Sequence, residues 1–95
     1  MRTQIKKIVF DSSFERDFKN YKKKLSDGEL DRLRDKLRIF KQDPFNPKLR
    51  THKLKGRLRD YWAFSISYSD RIIFRFLDKE TVFFIDIGGH DIYNY

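Results

Sequence analysis

The first half of the chain has the hydrophobic spacing of a short strand followed by two amphipathic helices. Residues 5–10 are β-branched and aromatic, which predicts the strand. Apolar residues then recur at intervals of three and four in two series, which predicts two helices. The two series are Phe14, Phe18, Tyr21 and Leu25, then Leu30, Leu33, Leu37 and Phe40. Each series follows a serine with a glutamate three residues later, Ser12 with Glu15 and Ser26 with Glu29, which is a capping-box pattern.

The second half changes to a period of two, which is typical of β-strands. The D-P-F-N-P sequence at residues 43–47 ends the second helix, because proline disfavours helix at the residue before it. Apolar and other residues alternate over residues 61–68 and 71–76, with a turn predicted at residues 68–70. Residues 81–87 are apolar on both faces, so we expect this strand inside the sheet.

These elements predict one α+β domain over residues 1–95, in the order β-α-α-β-β-β. The helical hairpin is expected to pack on one face of a mainly antiparallel four-stranded sheet. If the aromatic series of the strands faces the helices, Ser65, Ser67, Arg71 and Arg75 point to an open, polar face. Such a face is suited to binding a phosphate backbone, although most polar sheet faces are simply exposed to solvent.

Composition narrows the classes of function. There are 22 Lys and Arg against 14 Asp and Glu, a formal charge of +8, which predicts an acidic partner such as nucleic acid, an anionic surface or an acidic protein segment. The absence of cysteine excludes disulfides, thiolate zinc sites and thiol nucleophiles, and only two histidines argue against an all-histidine metal centre. The start has no apolar signal core, and the longest apolar run, residues 82–85, is too short to span a bilayer, so we expect a cytoplasmic protein.

A basic run precedes the alternating strands. It covers residues 48–59 and contains no acidic residue. Six of its residues are cations: Lys48, Arg50, Lys53, Lys55, Arg57 and Arg59. Clustered cations bind phosphates by releasing condensed counterions. A solvated loop is the alternative, but the run leads directly into the strand with the open polar face. We therefore take these residues, with Arg75 on that face, as candidates for RNA binding.

Several motifs are shared with one family. They are the H-x-L-x-G element at residues 52–56, the aromatic pair at 61–62, the strand that begins with Arg71, and the I-D-I-G-G-H-D sequence at 85–91, followed by Tyr93. In these features the chain resembles the RelE/ParE toxin superfamily, and most closely the YafQ- and YoeB-type mRNA interferases. The resemblance covers nearly the whole chain. The first and last motifs are fairly specific, whereas the helical half is generic.

The resemblance implies a toxin of a type II toxin–antitoxin system. Such a protein enters the ribosomal A site, cleaves the bound mRNA without metal or cofactor, and is held inactive by a cognate antitoxin in a hetero-oligomer, with no membrane involved. The ribose 2′-OH attacks its own 3′ phosphate. This reaction needs a base for the hydroxyl, an acid for the departing 5′ oxygen, and cations for the negatively charged phosphorus.

The resemblance also implies roles for individual residues. Arg71 would stabilise the phosphorane and His90 would act as acid or base. His52 would take the complementary proton-transfer role. A ring from Tyr93 or Tyr95 would stack on a base and hold the nucleotide for in-line attack.

The chain departs from the family at the general base. Where YafQ-like enzymes carry a further histidine in the strand, this chain has Ser65. Their turn aspartate aligns with Ser69, so Asp70, one residue later, is the candidate carboxylate. YoeB-like enzymes carry a glutamate before the H-x-L-x-G element, where this chain has Pro47 or Lys48.

Two other functions fit the same features. A ParE-like toxin shares the fold but inhibits DNA gyrase, and a non-catalytic basic RNA-binding module or decayed toxin would keep the fold and charge without a base. ParE-like proteins generally lack the arrangement of two histidines and an arginine. His52, Arg71 and His90 therefore favour the endoribonuclease.

Overall fold

A computed structural model describes residues 4–89 and residue 92. Within these residues there are two α-helices, two single-turn 3-10 helices and five strands. Their bounds are β1 Lys7–Phe10, α1 Ser12–Lys23, α2 Asp27–Gln42, the first 3-10 helix Pro47–Leu49, β2 His52–Lys53, the second 3-10 helix Gly56–Leu58, β3 Trp62–Ser65, β4 Arg71–Phe76 and β5 Thr81–Gly88. Neither α-helix is long and apolar enough to cross a membrane.

The five strands form one mixed sheet in the order β1-β5-β4-β3-β2. β1 pairs with β5 in parallel, and the other neighbours are antiparallel. The expected α+β class, with a helical hairpin on one face, is confirmed, and β5 lies inside the sheet as predicted. The sheet has one strand more than the four predicted. β2 is only two residues long and lies inside the basic run, so no alternation indicated it.

The core between helices and sheet is built from stacked aromatic rings. The Phe40 ring of α2 stacks on Phe64 of β3 with centroids 4.4 Å apart. It also meets Phe74 of β4 and Phe84 of β5 edge-on, at 5.0 and 5.4 Å. All four side chains are fully buried. Because aromatic pairs in this geometry add to the free energy gained from area burial, this cluster fixes α2 on the sheet.

The helix starts agree with the sequence in one case and differ in the other. At α2 the capping box forms as predicted, because Ser26 Oγ accepts from Glu29 N and the Glu29 carboxylate accepts from Ser26 N. At α1 the N-cap is Asp11, not Ser12, since the Asp11 carboxylate accepts from Ser13 N at 3.0 Å. Asp11 N donates to Phe84 O at 3.0 Å, so the sheet holds this residue at the helix entrance.

The alternation of β3 stops earlier than predicted. Ile66 N donates to Asp70 O at 3.0 Å, which closes a turn directly after Ser65. Tyr68, expected in the helix-facing series, is therefore fully exposed. Ser67, expected on the open face, lies in the turn, where its hydroxyl accepts from Asp70 N at 3.1 Å.

The sheet face opposite the helices is not open and polar along its whole length. A second hydrophobic cluster covers its middle, and its buried members are Leu54, Ala63, Ile73 and Ile92. Leu54 comes from the basic run and Ile92 from the C-terminal segment, so neither belonged to the alternating series. Ser65 is also buried, whereas Arg71 is half-buried and Arg75 is exposed. The polar positions of this face therefore lie at its two ends.

Candidate active site

Arg71 lies at the end of the sheet where β5 leads toward His90. It is the first residue of β4, and it pairs with Ser65 of β3 on one side and Gly88 of β5 on the other. It shares the face opposite the helices with Ile73, because residues two apart on a strand point the same way. The register thus places Arg71 beside Gly88, two residues before His90. His90 itself lies outside the described residues.

His52 lies on the same face as Arg71, on the edge strand. It pairs with Ala63, which is two residues before Ser65 on β3, and Ser65 pairs with Arg71. Strand spacing and rise per residue put the Cα atoms of His52 and Arg71 about 12 Å apart. Both side chains rise from the same face, and the separation of their Cα atoms leaves room for a phosphodiester between them.

The hydrogen bond of His52 sets which ring nitrogen is available for chemistry. His52 Nδ1 lies 3.1 Å from Arg50 O. A carbonyl oxygen only accepts, so Nδ1 carries the proton and Nε2 of the neutral ring has the lone pair. The exposed imidazole of His52 therefore offers a proton-accepting Nε2 to solvent or substrate. Arg50, which supplies the accepting carbonyl, has a φ of 52°, in the left-handed region, where a residue with a side chain carries about 1–3 kcal/mol of backbone strain.

Asp70 is held on the helix side of the sheet, apart from His52 and Arg71. The Tyr21 hydroxyl of α1 donates to Asp70 Oδ2 at 2.7 Å. Alternation agrees, since Asp70 and Arg71 are neighbours in the chain and point to opposite faces. Both Tyr21 and Asp70 line an open groove of about 980 Å³ between the helices and the β3–β4 turn.

The contact with Asp70 gives an expected titration. Partial burial, and then the hydrogen bond to Asp70, raise the pKa of Tyr21 from 10.0 to about 12. Since the pKa of Tyr21 is higher in the folded than in the unfolded state, the neutral, partly buried hydroxyl adds to the free energy of unfolding below pH 10, and this contribution is lost as the pH rises through about 12. Ultraviolet difference absorbance of the five tyrosines should show a late step that disappears in Tyr21→Phe. An unchanged late step in that variant would show that Tyr21 is not its source.

The basic run follows the β2 edge of the sheet. All six of its cations are exposed, while Leu54 is buried and Leu58 half-buried between them. The Lys53 ammonium lies over the Trp62 ring, 5.1 Å from its centroid, and the Lys48 carbonyl accepts from Lys36 Nζ at 2.8 Å. Within residues 4–89 and 92, no salt bridge involves any of the six. Apolar anchors thus fix the run to the sheet and leave its charges directed to solvent.

Two residues that the sequence did not single out share a face with Arg71. A shift in register between Ile73 and Phe74 pairs Ile73 with Asp86, which turns this carboxylate to the face opposite the helices. Asp86 is half-buried, and Oδ1 accepts from Ile87 N at 2.9 Å. Phe83 pairs with Arg75 at the other end of the same face. The only sequence signal for Asp86 was an aspartate within the apolar run of residues 81–87. No local pattern indicated the β-bulge that produces the shift in register.

Tyr93 and Tyr95, like His90, lie outside the described residues. Elsewhere in the described part of the chain, no three His, Cys, Asp or Glu side chains converge to hold a metal ion.

Comparison with known proteins relates this arrangement to one family. The family model described as the bacterial toxin of type II toxin–antitoxin system, YafQ, matches residues 6–93. Among curated protein sequences, none matches significantly.

Solved structures of other toxins share the fold. The YoeB/ParE toxin from Agrobacterium tumefaciens has 23% identity and a TM-score of 0.72, over 90% of this chain and 99% of that chain. YafQ from E. coli strain BL21(DE3) has 21% identity and a TM-score of 0.68, over 95% of this chain and 98% of that chain. The E. coli DinJ–YafQ toxin–antitoxin complex has 18% identity and a TM-score of 0.70, over 94% of this chain and 96% of that chain.

Proposed function

The chain belongs to the YafQ family of toxins of type II toxin–antitoxin systems, and from this premise we propose that it is an endoribonuclease that cleaves mRNA in the ribosomal A site. The observation that carries the proposal is the placement of His52 and Arg71 on one sheet face, beside the segment that leads to His90. A base, a cation and a second proton-transfer group would then surround one phosphodiester.

The proposed reaction is transesterification within the RNA strand. His52 Nε2 takes the proton of the ribose 2′-OH, and the 2′ oxygen attacks the adjacent phosphorus. His90 donates a proton to the departing 5′ oxygen, so the products carry a 2′,3′-cyclic phosphate and a 5′-hydroxyl. Arg71 stabilises the charge on the phosphorane, where a planar guanidinium offers two parallel donors. These side chains supply every proton transfer that the reaction needs, so no metal is required.

The other expected residues take supporting roles. A ring from Tyr93 or Tyr95 stacks on a base next to the scissile bond and keeps it splayed for in-line attack. Asp70 acts as a positioning residue, since its carboxylate accepts the Tyr21 hydroxyl on the helix side and holds the turn before Arg71.

The charge of the protein suits its proposed partners. The basic run and the net charge of +8 favour the phosphate backbones of ribosomal and messenger RNA, in the cytoplasm. The DinJ–YafQ complex is a toxin bound to its antitoxin, and we infer that a cognate antitoxin binds this chain as well. A segment that folds on binding would bring carboxylates to the exposed cations and would hold the toxin inactive.

The function is tested with the purified chain, ribosomes carrying an mRNA, and DNA gyrase with relaxed plasmid. We expect mRNA cleavage that stops when the co-expressed antitoxin is added, and unchanged supercoiling. Inhibited supercoiling with intact mRNA would support the ParE-like function instead. If the chain binds RNA but has neither effect, it is a non-catalytic RNA-binding module.

A further inference from the structure

Arg75 lies between two aromatic rings at the far end of the face that carries Arg71. Its guanidinium carbon is 6.0 Å from the centroid of Tyr61 and 6.0 Å from that of Phe83. Phe83 is its direct partner on β5, and Tyr61 immediately precedes β3. Both distances lie at the outer limit of a cation–π contact. The rings are half-buried while Arg75 is exposed, so they hold the guanidinium at the surface.

The charge of Arg75 is not compensated by a carboxylate of the described chain. Three of the four arginines on the helices differ, since Arg16 pairs with Asp17, Arg34 with Asp31 and Arg38 with Asp35. No such ion pair is formed by Arg75 within residues 4–89 and 92. A guanidinium that is held in place by rings loses little conformational freedom when it binds an anion, and its planar fork matches a phosphate.

The position of Arg75 relative to Arg71 indicates which anion it would bind. The two arginines are four residues apart on β4, so they share a face and are separated by about 13 Å. Ile73, which lies between them, is buried in the second hydrophobic cluster, and the half-buried members of that cluster, Leu58, Tyr61 and Ile85, expose part of their apolar surface. Two cations separated by a partly exposed apolar surface match a single-stranded nucleic acid, whose phosphates recur at intervals and whose unpaired bases stack on apolar and aromatic surfaces.

Further cations are placed at the same end. Leu58 packs on the second cluster together with Tyr61, and it comes from the single-turn helix in the basic run. Its chain neighbours Arg57 and Arg59 are both exposed. The local charge is therefore positive on two adjacent elements, which favours RNA over an apolar protein segment.

We propose that Arg75, Tyr61 and Phe83 form a second RNA subsite, which holds a phosphate of the single-stranded substrate a few nucleotides from the phosphate at Arg71. The subsite rests on the proposed function, because it assigns RNA as the substrate of this face. It does not take part in the proton transfers. The subsite determines how the RNA lies along β4.

The test measures RNA binding separately from cleavage. The probe is a short, fluorescein-labelled RNA of mixed sequence with 2′-O-methyl groups at every ribose, which prevents 2′-OH attack. Fluorescence anisotropy over a salt series gives the slope of log affinity against log salt. Loss of one phosphate contact in Arg75→Ala should make that slope shallower by about 0.7. Arg75→Lys should keep the slope, because the charge remains, but bind more weakly, because the fork and the ring contacts are lost.

Lys19→Ala is the matched control. Lys19 is an exposed cation of α1, in the helix layer, and its removal should leave the salt slope unchanged. If Arg75→Ala keeps both the affinity and the slope of the wild type, the subsite does not exist. If it weakens only the binding of the antitoxin, this end of the face belongs to the protein partner and the proposal is wrong.

Ribosome assays separate this proposal from the proposed function. With programmed ribosomes, Arg75→Ala should raise KM and leave kcat unchanged, because the contact is equally strong in ground and transition states. A wild-type chain that binds the probe through Arg75 but never cleaves mRNA would remove the nuclease and keep the subsite. Normal cleavage by Arg75→Ala with an unchanged KM would remove the subsite and keep the nuclease.

Discussion

Replacing Arg71 with alanine is expected to slow mRNA cleavage on ribosomes by about 10²–10³-fold, which is typical for removal of one donor that stabilises transition-state charge. The half-buried guanidinium lies on the face of His52 and beside the segment that leads to His90. It is the only cation of β4 at that end. The measurement is the single-turnover rate with saturating toxin, so that weaker binding does not contribute.

Two further variants show whether the effect is specific. Arg71→Lys should be intermediate, because a lysine keeps the charge but cannot offer two parallel donors. Arg34→Ala removes an exposed arginine from α2, in the helix layer, and should cleave at the wild-type rate. Circular dichroism should be unchanged in all three. A fully active, folded Arg71→Ala chain would exclude Arg71 from the reaction.

Replacing Phe40 with alanine is expected to lower the free energy of unfolding by about 3–5 kcal/mol. The ring is fully buried and contacts Phe64, Phe74 and Phe84, which come from three different strands. Because a domain of this size is stable by only about 5–15 kcal/mol, the variant should lose a large part of its stability. Urea unfolding followed by circular dichroism measures the change.

The control for Phe40 is a phenylalanine of the same chain that solvent already reaches. Phe45 is 45% exposed, although its ring lies 5.1 Å from Trp62. Phe45→Ala should therefore cost clearly less than Phe40→Ala. Equal costs at the two positions would mean that α2 is not fixed to the sheet by the aromatic cluster.

Local patterns predicted the parts of the fold that depend on neighbouring residues. The capping box of Ser26 and Glu29 involves residues three apart, so the sequence contains all of it. The start of α1 was missed by one residue because Asp11 and Ser12 are both good caps. The choice between them is made by a distant contact, the hydrogen bond from Asp11 N to Phe84 O.

Local patterns did not predict the features that depend on pairing across the sheet. β2 has two residues and no alternation, so nothing local placed His52 opposite Ala63. The bulge that turns Asp86 toward the face of Arg71 likewise depends on how β4 and β5 pair. The sequence did show Leu54 in the basic run, but its role in covering the sheet face required the fold.

In the candidate site, too, local patterns predicted some features and missed those that depend on distant contacts. Alternation along β4 correctly predicted that Arg71 and Arg75 share the face opposite the aromatic series. Asp70 was chosen for its position next to Arg71 in the chain. Chain neighbours on a strand point to opposite faces, and Tyr21 binds Asp70 on the helix side. The catalytic roles of His52 and His90 remain predictions from the family motif.

The most direct test of the central claim is the chemistry of the RNA ends that the purified chain produces on programmed ribosomes. Attack by the 2′-OH predicts a 2′,3′-cyclic phosphate on one fragment and a 5′-hydroxyl on the other. A single 2′-O-methyl group at the cleaved nucleotide should abolish the cut. Fragments with a 5′-phosphate, or cleavage that persists at the methylated nucleotide, would contradict the mechanism proposed for this sheet face.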